Sequence, residues 1–130
     1  VGYTGFLAVG VGGMCGCWLR WWLAVALNPI FPSVPFGTLA ANLVGALLMG
    51  IALAVFDHFQ SLPVEARLLV ATGFLGGLTT FSTFSAEASG LLLRQQYGWF
   101  VVHVGVNLMG SLLMTIGGLV ITRGILKQFH

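Results

Sequence analysis

Four stretches of apolar residues, each long enough to cross a lipid bilayer, dominate what this chain can fold into. A spanning helix needs roughly 20 mostly apolar residues. The first stretch runs from about residue 3 to 27, with Arg20 as its only charge. Pro29, Pro32 and Pro35 follow closely and end it, because prolines crowded into so short a segment cannot continue a helix. The second runs from about residue 37 to 56 and closes at Asp57-His58. A short polar link, Gln60-Ser61-Leu62-Pro63, leads to the third, residues 65–94, whose middle, near 76–80, is irregular. Gln95-Gln96-Tyr97-Gly98 makes the last link, and the fourth stretch covers 99–121, with Arg123 and Lys127 beyond it. The expectation is an all-α integral membrane protein, residues 1–130 forming a single four-helix domain, with the third helix broken mid-membrane.

Composition agrees. Of 130 residues 58% are hydrophobic and 6% charged, and mean hydropathy is +1.00. A soluble domain carries about a quarter of its residues as charges, so this chain cannot clothe a globule in polar groups. A net charge of +2 without any basic cluster excludes a nucleic-acid surface. The first stretch lacks a basic leader and is no more apolar than the rest, so it reads as a span rather than a signal peptide. The chain begins at Val1, and an initiator methionine is expected to have preceded it. Cys15 and Cys17 lie two apart, on nearly opposite faces of a helix, so they cannot pair with each other; they are expected to be packing residues.

Four spans put both termini on one side. That side would carry Arg67, Arg123 and Lys127, the other Arg20 and Arg94. Topology follows an excess of Lys and Arg on one side, and here the excess is nearly nil. Insertion in both orientations, and hence an antiparallel pair, is the expectation. Four helices also make a tight bundle with little room for a pore, so function is expected to need an oligomer. Gly12-x-x-x-Gly16 and Ala41-x-x-x-Gly45 let helix backbones approach closely, either within one subunit or between two.

The third span carries the densest chemistry: Gly76-Gly77-Leu78-Thr79-Thr80-Phe81-Ser82-Thr83-Phe84-Ser85. Two glycines followed by two β-branched threonines make a poor helix interior. Two readings stand for it: a broken helix whose freed carbonyls bind an ion, or a continuous helix whose hydroxyls bond back to carbonyls four residues earlier. Phe81 and Phe84 share a face, and Glu87 continues it. Such a pair can simply pack, or present the positive edges of its rings to a small anion. In the fourth span His103, Asn107, Ser111 and Thr115 recur every four residues, a polar stripe roughly 18 Å long. A stripe like this faces an ion path or glues helices together. Asn42 is an amide inside the second span, able to donate to an anion. Arg20, among Trp18, Trp21 and Trp22 of an interfacial belt, is either a snorkelling anchor or an anion-attracting vestibule residue. The intramembrane set is rich in donors with one carboxylate, Glu87, which suits a dehydrated anion better than a cation. No paired nucleophile and base, metal-ligand cluster or phosphate loop is visible, so no enzyme is expected.

The stretch from Gly76 to Ser85, together with Gly12-Gly13, Arg20-Trp21 and the run Gly37-Thr38 to Asn42 and Gly45, resembles the Fluc (CrcB) family of dual-topology fluoride channels over essentially the whole chain. The resemblance implies an antiparallel homodimer with two pores, each built from both subunits, in the bacterial inner membrane. It implies passive export of fluoride, which enters cells as the neutral acid and is trapped as the anion, and so fluoride resistance. Phe81 and Phe84 would line the fluoride path with their ring edges, beside Asn42. Thr83, Ser111 and Thr115 would form a hydroxyl track, with Asn107 and His103 on the same stripe. Arg20 would lie in the vestibule and Glu87 near the pathway. Gly76 and Thr79 would offer backbone carbonyls to a structural sodium ion at the dimer centre. Two rivals remain. A small multidrug-resistance cation exporter has similar length and topology, but needs an acidic residue in the first span, which is absent here. A non-transporting assembly subunit explains the glycines but not the polar stripe.

Overall fold

A computed structural model describes residues 2–129. Among the described residues four helical spans are long and apolar enough to cross a membrane, covering Tyr3–Ile30, Phe36–His58, Val64–Leu93 and Tyr97–Phe129. We label as α1 the helix Tyr3–Leu27 and as α2 Phe36–His58. The first half of the third span, residues 64–78, is α3 and the second half, Phe81–Leu93, is α4. The fourth span, Tyr97–Leu126, is α5. Its 30 residues run past Ile121 and make a rod roughly 45 Å long, well beyond a hydrocarbon core of about 30 Å.

The bundle is two close pairs, α1 with α3 and α2 with α5. In the first pair the glycines of the Gly12-x-x-x-Gly16 motif do the work. A Cβ on Gly16 would run into the Phe74 carbonyl and, at 2.8 Å, the Leu78 amide of α3. In the second pair a Cβ on Gly50 would strike the Thr115 carbonyl of α5. Both motifs singled out in the sequence serve packing inside one subunit: Ala41 is fully buried, and Gly45 faces Thr79 and Leu78. In lipid such backbone approach supplies the van der Waals contact that a hydrophobic effect cannot.

The links are held by side chains. Asn28 Oδ1 accepts from the Gly37 and Thr38 amides at 2.7 and 3.2 Å, capping α2 across the proline segment. At the other end of α2 the Arg67 guanidinium donates to the Phe56 and Phe59 carbonyls at 3.1 and 3.3 Å. It also lies over the Phe56 ring, 5.3 Å from its centroid. Gln95 closes α4 in the left-handed region (φ 61°), with Gln96 N–H bonding Leu91 O and Gln95 N–H bonding Leu92 O.

The cysteines correct an expectation. Cys15 and Cys17 are free thiols exposed on the subunit surface, not packed in its core. α1 buries only Gly5, Gly12 and Gly16, because its close face is used up by backbone-to-backbone approach and its other faces are left to lipid or a partner.

Candidate functional site

The third span breaks at Thr79 and Thr80, both extended (φ −80°, ψ 155° and φ −148°, ψ 118°). The break is preceded by eight residues of π-helix, Leu68–Leu75, which the sequence reading did not anticipate. Such wide turns occur where a helix is diverted near a functional element. Thr79 Oγ1 donates to the Leu75 carbonyl at 2.9 Å, so one hydroxyl does bond back four residues, at the end of the helix and not through it. Thr80 then caps α4: its Oγ1 accepts from the Thr83 amide at 3.1 Å.

Breaking a helix in lipid orphans backbone groups that must find partners. Two side chains answer at this break. Asn42 of α2 accepts from Thr80 N–H at 2.8 Å and donates to the Thr80 carbonyl at 3.3 Å. Arg20 Nε donates to the Gly77 carbonyl at 2.9 Å. The guanidinium is therefore turned inward onto the break, while Trp18, Trp21 and Trp22 are exposed around it. Gly76 and Thr79 are treated differently. Their helical donors would be Thr80 N–H and Thr83 N–H, which go instead to Asn42 and to the Thr80 hydroxyl. Both carbonyls are thereby freed from the helix ladder.

A cleft of about 300 Å³ opens beside the break. The break contributes Thr79, Thr80, Phe81 and Phe84; α2 contributes Asn42 and Ala46; α5 contributes Asn107, Leu108, Ser111, Leu112 and Thr115. The cleft thus meets the first turn of α4, whose end carries a partial positive charge and free amide groups. Phe81 is 79% exposed, and its ring centroid is 5.7 Å from that of Phe84. Phe84 in turn lies 5.2 Å from the His103 ring.

The polar stripe of α5 divides into two parts. Ser111 and Thr115 line the cleft, although the Thr115 hydroxyl donates to the Ala46 carbonyl of α2 at 3.0 Å. His103 and Asn107 are buried, and only Asn107 reaches the cleft wall. Thr83 and Glu87 are not on its lining. Glu87 Oε2 accepts from Thr38 Oγ1 at 2.8 Å, and Oε1 lies 3.4 Å from His103 Nε2. Asn42 is more committed than a free donor: its Nδ2 also donates to Asn107 Oδ1 at 3.1 Å. Sequence reasoning assigned no role to Thr38. The signal was present, since Thr38 precedes Asn42 by four residues as His103 precedes Asn107, placing matching stripes on two helices. Among the described residues no cluster of three or more His, Cys, Asp or Glu could hold a metal ion.

These features define a small multi-pass membrane protein with a polar break and a cleft without carboxylates inside an apolar bundle. The family described as CrcB-like protein, Camphor Resistance (CrcB), matches residues 7–119. A protein of Nitrosospira multiformis is 54% identical over 128 residues, covering 98% of this chain and all of its own length. One from Cupriavidus metallidurans is 54% identical over 119 residues, 92% of this chain and 94% of its own. Another from Aromatoleum aromaticum is 57% identical over 109 residues, 84% of this chain and 83% of its own. Each bears the name fluoride-specific ion channel FluC. The chain belongs to the FluC/CrcB family.

Proposed function

We propose that this protein is a fluoride-selective channel of the inner membrane that lets cytoplasmic fluoride leave passively, and that it works as an antiparallel homodimer with two pores. Channel activity in its named relatives supports the class; it is transport, not enzymatic catalysis. The observation that carries the reading is the cleft at the helix break. There an anion would meet the start of α4, the Ser111 hydroxyl and the ring edges of Phe81 and Phe84, with no carboxylate on the lining. Preorganised donors in a dry site replace the hydration shell of a small anion. A cation exporter would need an acidic group in that cleft, and its lining has none.

Phe81, exposed on the single subunit, fits a pathway completed by a second copy. A structural sodium ion at the centre of that dimer fits the donors as well. The Gly76 and Thr79 carbonyls have lost their helical partners, and Gly76 lies on the exposed surface of the subunit. Hard carbonyl oxygens of unwound helices are the sort of ligand sodium takes, and two copies would double the set. A bound sodium would supply positive charge between the subunits, while Arg20 and Asn42 of this chain hold the break in shape. Asn42 orients Thr80, the α4 N-terminus attracts the anion, and the ring pair excludes water.

The test is ion release from liposomes holding the purified protein, with fluoride and chloride compared and Phe81→Ile alongside. Fast fluoride release, no chloride release and loss in the variant are expected. Absence of fluoride release from folded protein would refute the channel.

A further inference from the structure

A row of hydrogen bonds crosses the subunit interior from the helix break to His103, whose ring faces Glu87. It starts at a backbone group that cannot turn round: Thr80 N–H, which donates to Asn42 Oδ1 at 2.8 Å. An amide with its oxygen held there presents its amino group on the other side. Asn42 Nδ2 accordingly donates to Asn107 Oδ1 at 3.1 Å. Asn107 then turns its own amino group to His103, donating to the backbone carbonyl at 3.0 Å and facing ring Nδ1 at 3.3 Å. That carbonyl is a second fixed group demanding the same orientation.

A ring nitrogen that faces an N–H group is the accepting one, so the imidazole proton sits on the other nitrogen. That nitrogen, Nε2, faces Glu87 Oε1 at 3.4 Å. Both atoms are sealed from solvent and neither meets a partner at hydrogen-bond geometry, so they face each other as a close polar contact, with the Phe84 backbone also beside the ring; His103 itself is 0% exposed. Thr38 Oγ1 occupies the remaining carboxylate oxygen at 2.8 Å.

We propose that His103 is a positioning residue, held in its Nε2–H tautomer by Asn107, and that with Thr38 it pins the Glu87 carboxylate inside the subunit and off the cleft. The need for such a restraint follows from sequence position. Glu87 lies three residues after Phe84 on α4, hence on the same face. Swung towards the cleft, its charge would repel an anion there. The consequence for transport rests on the fluoride reading; the tautomer does not.

The experiment uses the full chain, with histidine nitrogens labelled and read by nitrogen NMR; the His103 signals are assigned by their loss in His103→Gln. The wild type is expected to carry its His103 proton on Nε2 and none on Nδ1. In Asn107→Asp the amino group facing the ring is replaced by a carboxylate oxygen, which must draw a proton to Nδ1. A wild-type Nδ1 that is already protonated, or one unchanged in Asn107→Asp, would overturn the assignment. Should Asn107→Asp not fold, the wild-type reading alone decides the tautomer.

Fluoride release provides the second reading. His103→Gln can accept at one end and donate at the other, and should keep release within about fivefold. His103→Phe fills the space but does neither, and should lose at least about tenfold. Equal rates for His103→Phe and wild type would sink the positioning role. Wild-type protein that shows the stated tautomer but releases no fluoride would support the assignment and overturn the channel.

Discussion

On one side of Thr79 and Thr80 the third span presses its glycines against the backbone of α1; on the other it leaves Phe81 79% exposed and turns the Glu87 carboxylate inward. α3 is held by close backbone approach, which tolerates no added atom at Gly73 or Gly77, where a Cβ would lie 2.9 Å from the Val9 carbonyl and 2.6 Å from the Gly13 carbonyl. α4 buries only Ala88 and Leu91, and its fixed points are the Thr80 cap and the links from Glu87. The same apolar span thus contains a rigid anchor and a sparsely packed arm, joined by two extended residues. Dispersion falls away steeply with distance, so a glycine seam is stiff. A few hydrogen bonds fix orientation with much less surface. The aromatic pair Phe81 and Phe84 on the cleft lining thus sits on the half with the least packing.

Substitutions can break that contrast or sharpen it. Gly16→Val strikes the α3 anchor and should cost about 3 kcal/mol, seen as loss of folded protein in detergent thermal unfolding. Asn42→Ala acts at the joint. It leaves the Thr80 N–H, the Thr80 carbonyl and Asn107 Oδ1 without their partner, for a loss of about 2 kcal/mol with fluoride release reduced as well. Phe81→Ile touches only the arm. Subunit stability should change by less than about 0.5 kcal/mol while fluoride release is lost; equal damage to both would mean the arm is structural after all. Ser111→Ala should lower release about tenfold with unfolding unchanged, measured in the same liposomes. Gln95→Gly, at the left-handed closing residue of α4, should raise stability by about 1 kcal/mol without altering release.

Much of this was legible beforehand, for reasons that differ from residue to residue. The four spans were visible because lipid forces any crossing segment to be long, apolar and helical. The irregular middle of the third was visible because Gly76-Gly77 and Thr79-Thr80 oppose helix formation locally. The α5 stripe was visible because four polar residues at one spacing must share a face. What those residues touch was not. His103 lies on that stripe with Asn107 and Ser111, yet it is sealed in the interior while they meet the cleft. Cys15 and Cys17 are exposed because α1 gives its close face to glycines, a matter of which helix lies beside it.

The sequence by itself determined the solvent, the number of crossings and the place where the third one fails, since these depend on hydropathy and backbone preference over short windows. Only the tertiary structure decided that Arg20 turns in to the Gly77 carbonyl, that Asn42 clamps Thr80, and that Thr38 and His103 close on Glu87 from two other helices. These contacts join residues as far as 57 positions apart. Their partners are backbone groups orphaned by the break and a carboxylate excluded from water. No local pattern encodes which side chain will reach them; the packing of α1, α2 and α5 around the break does.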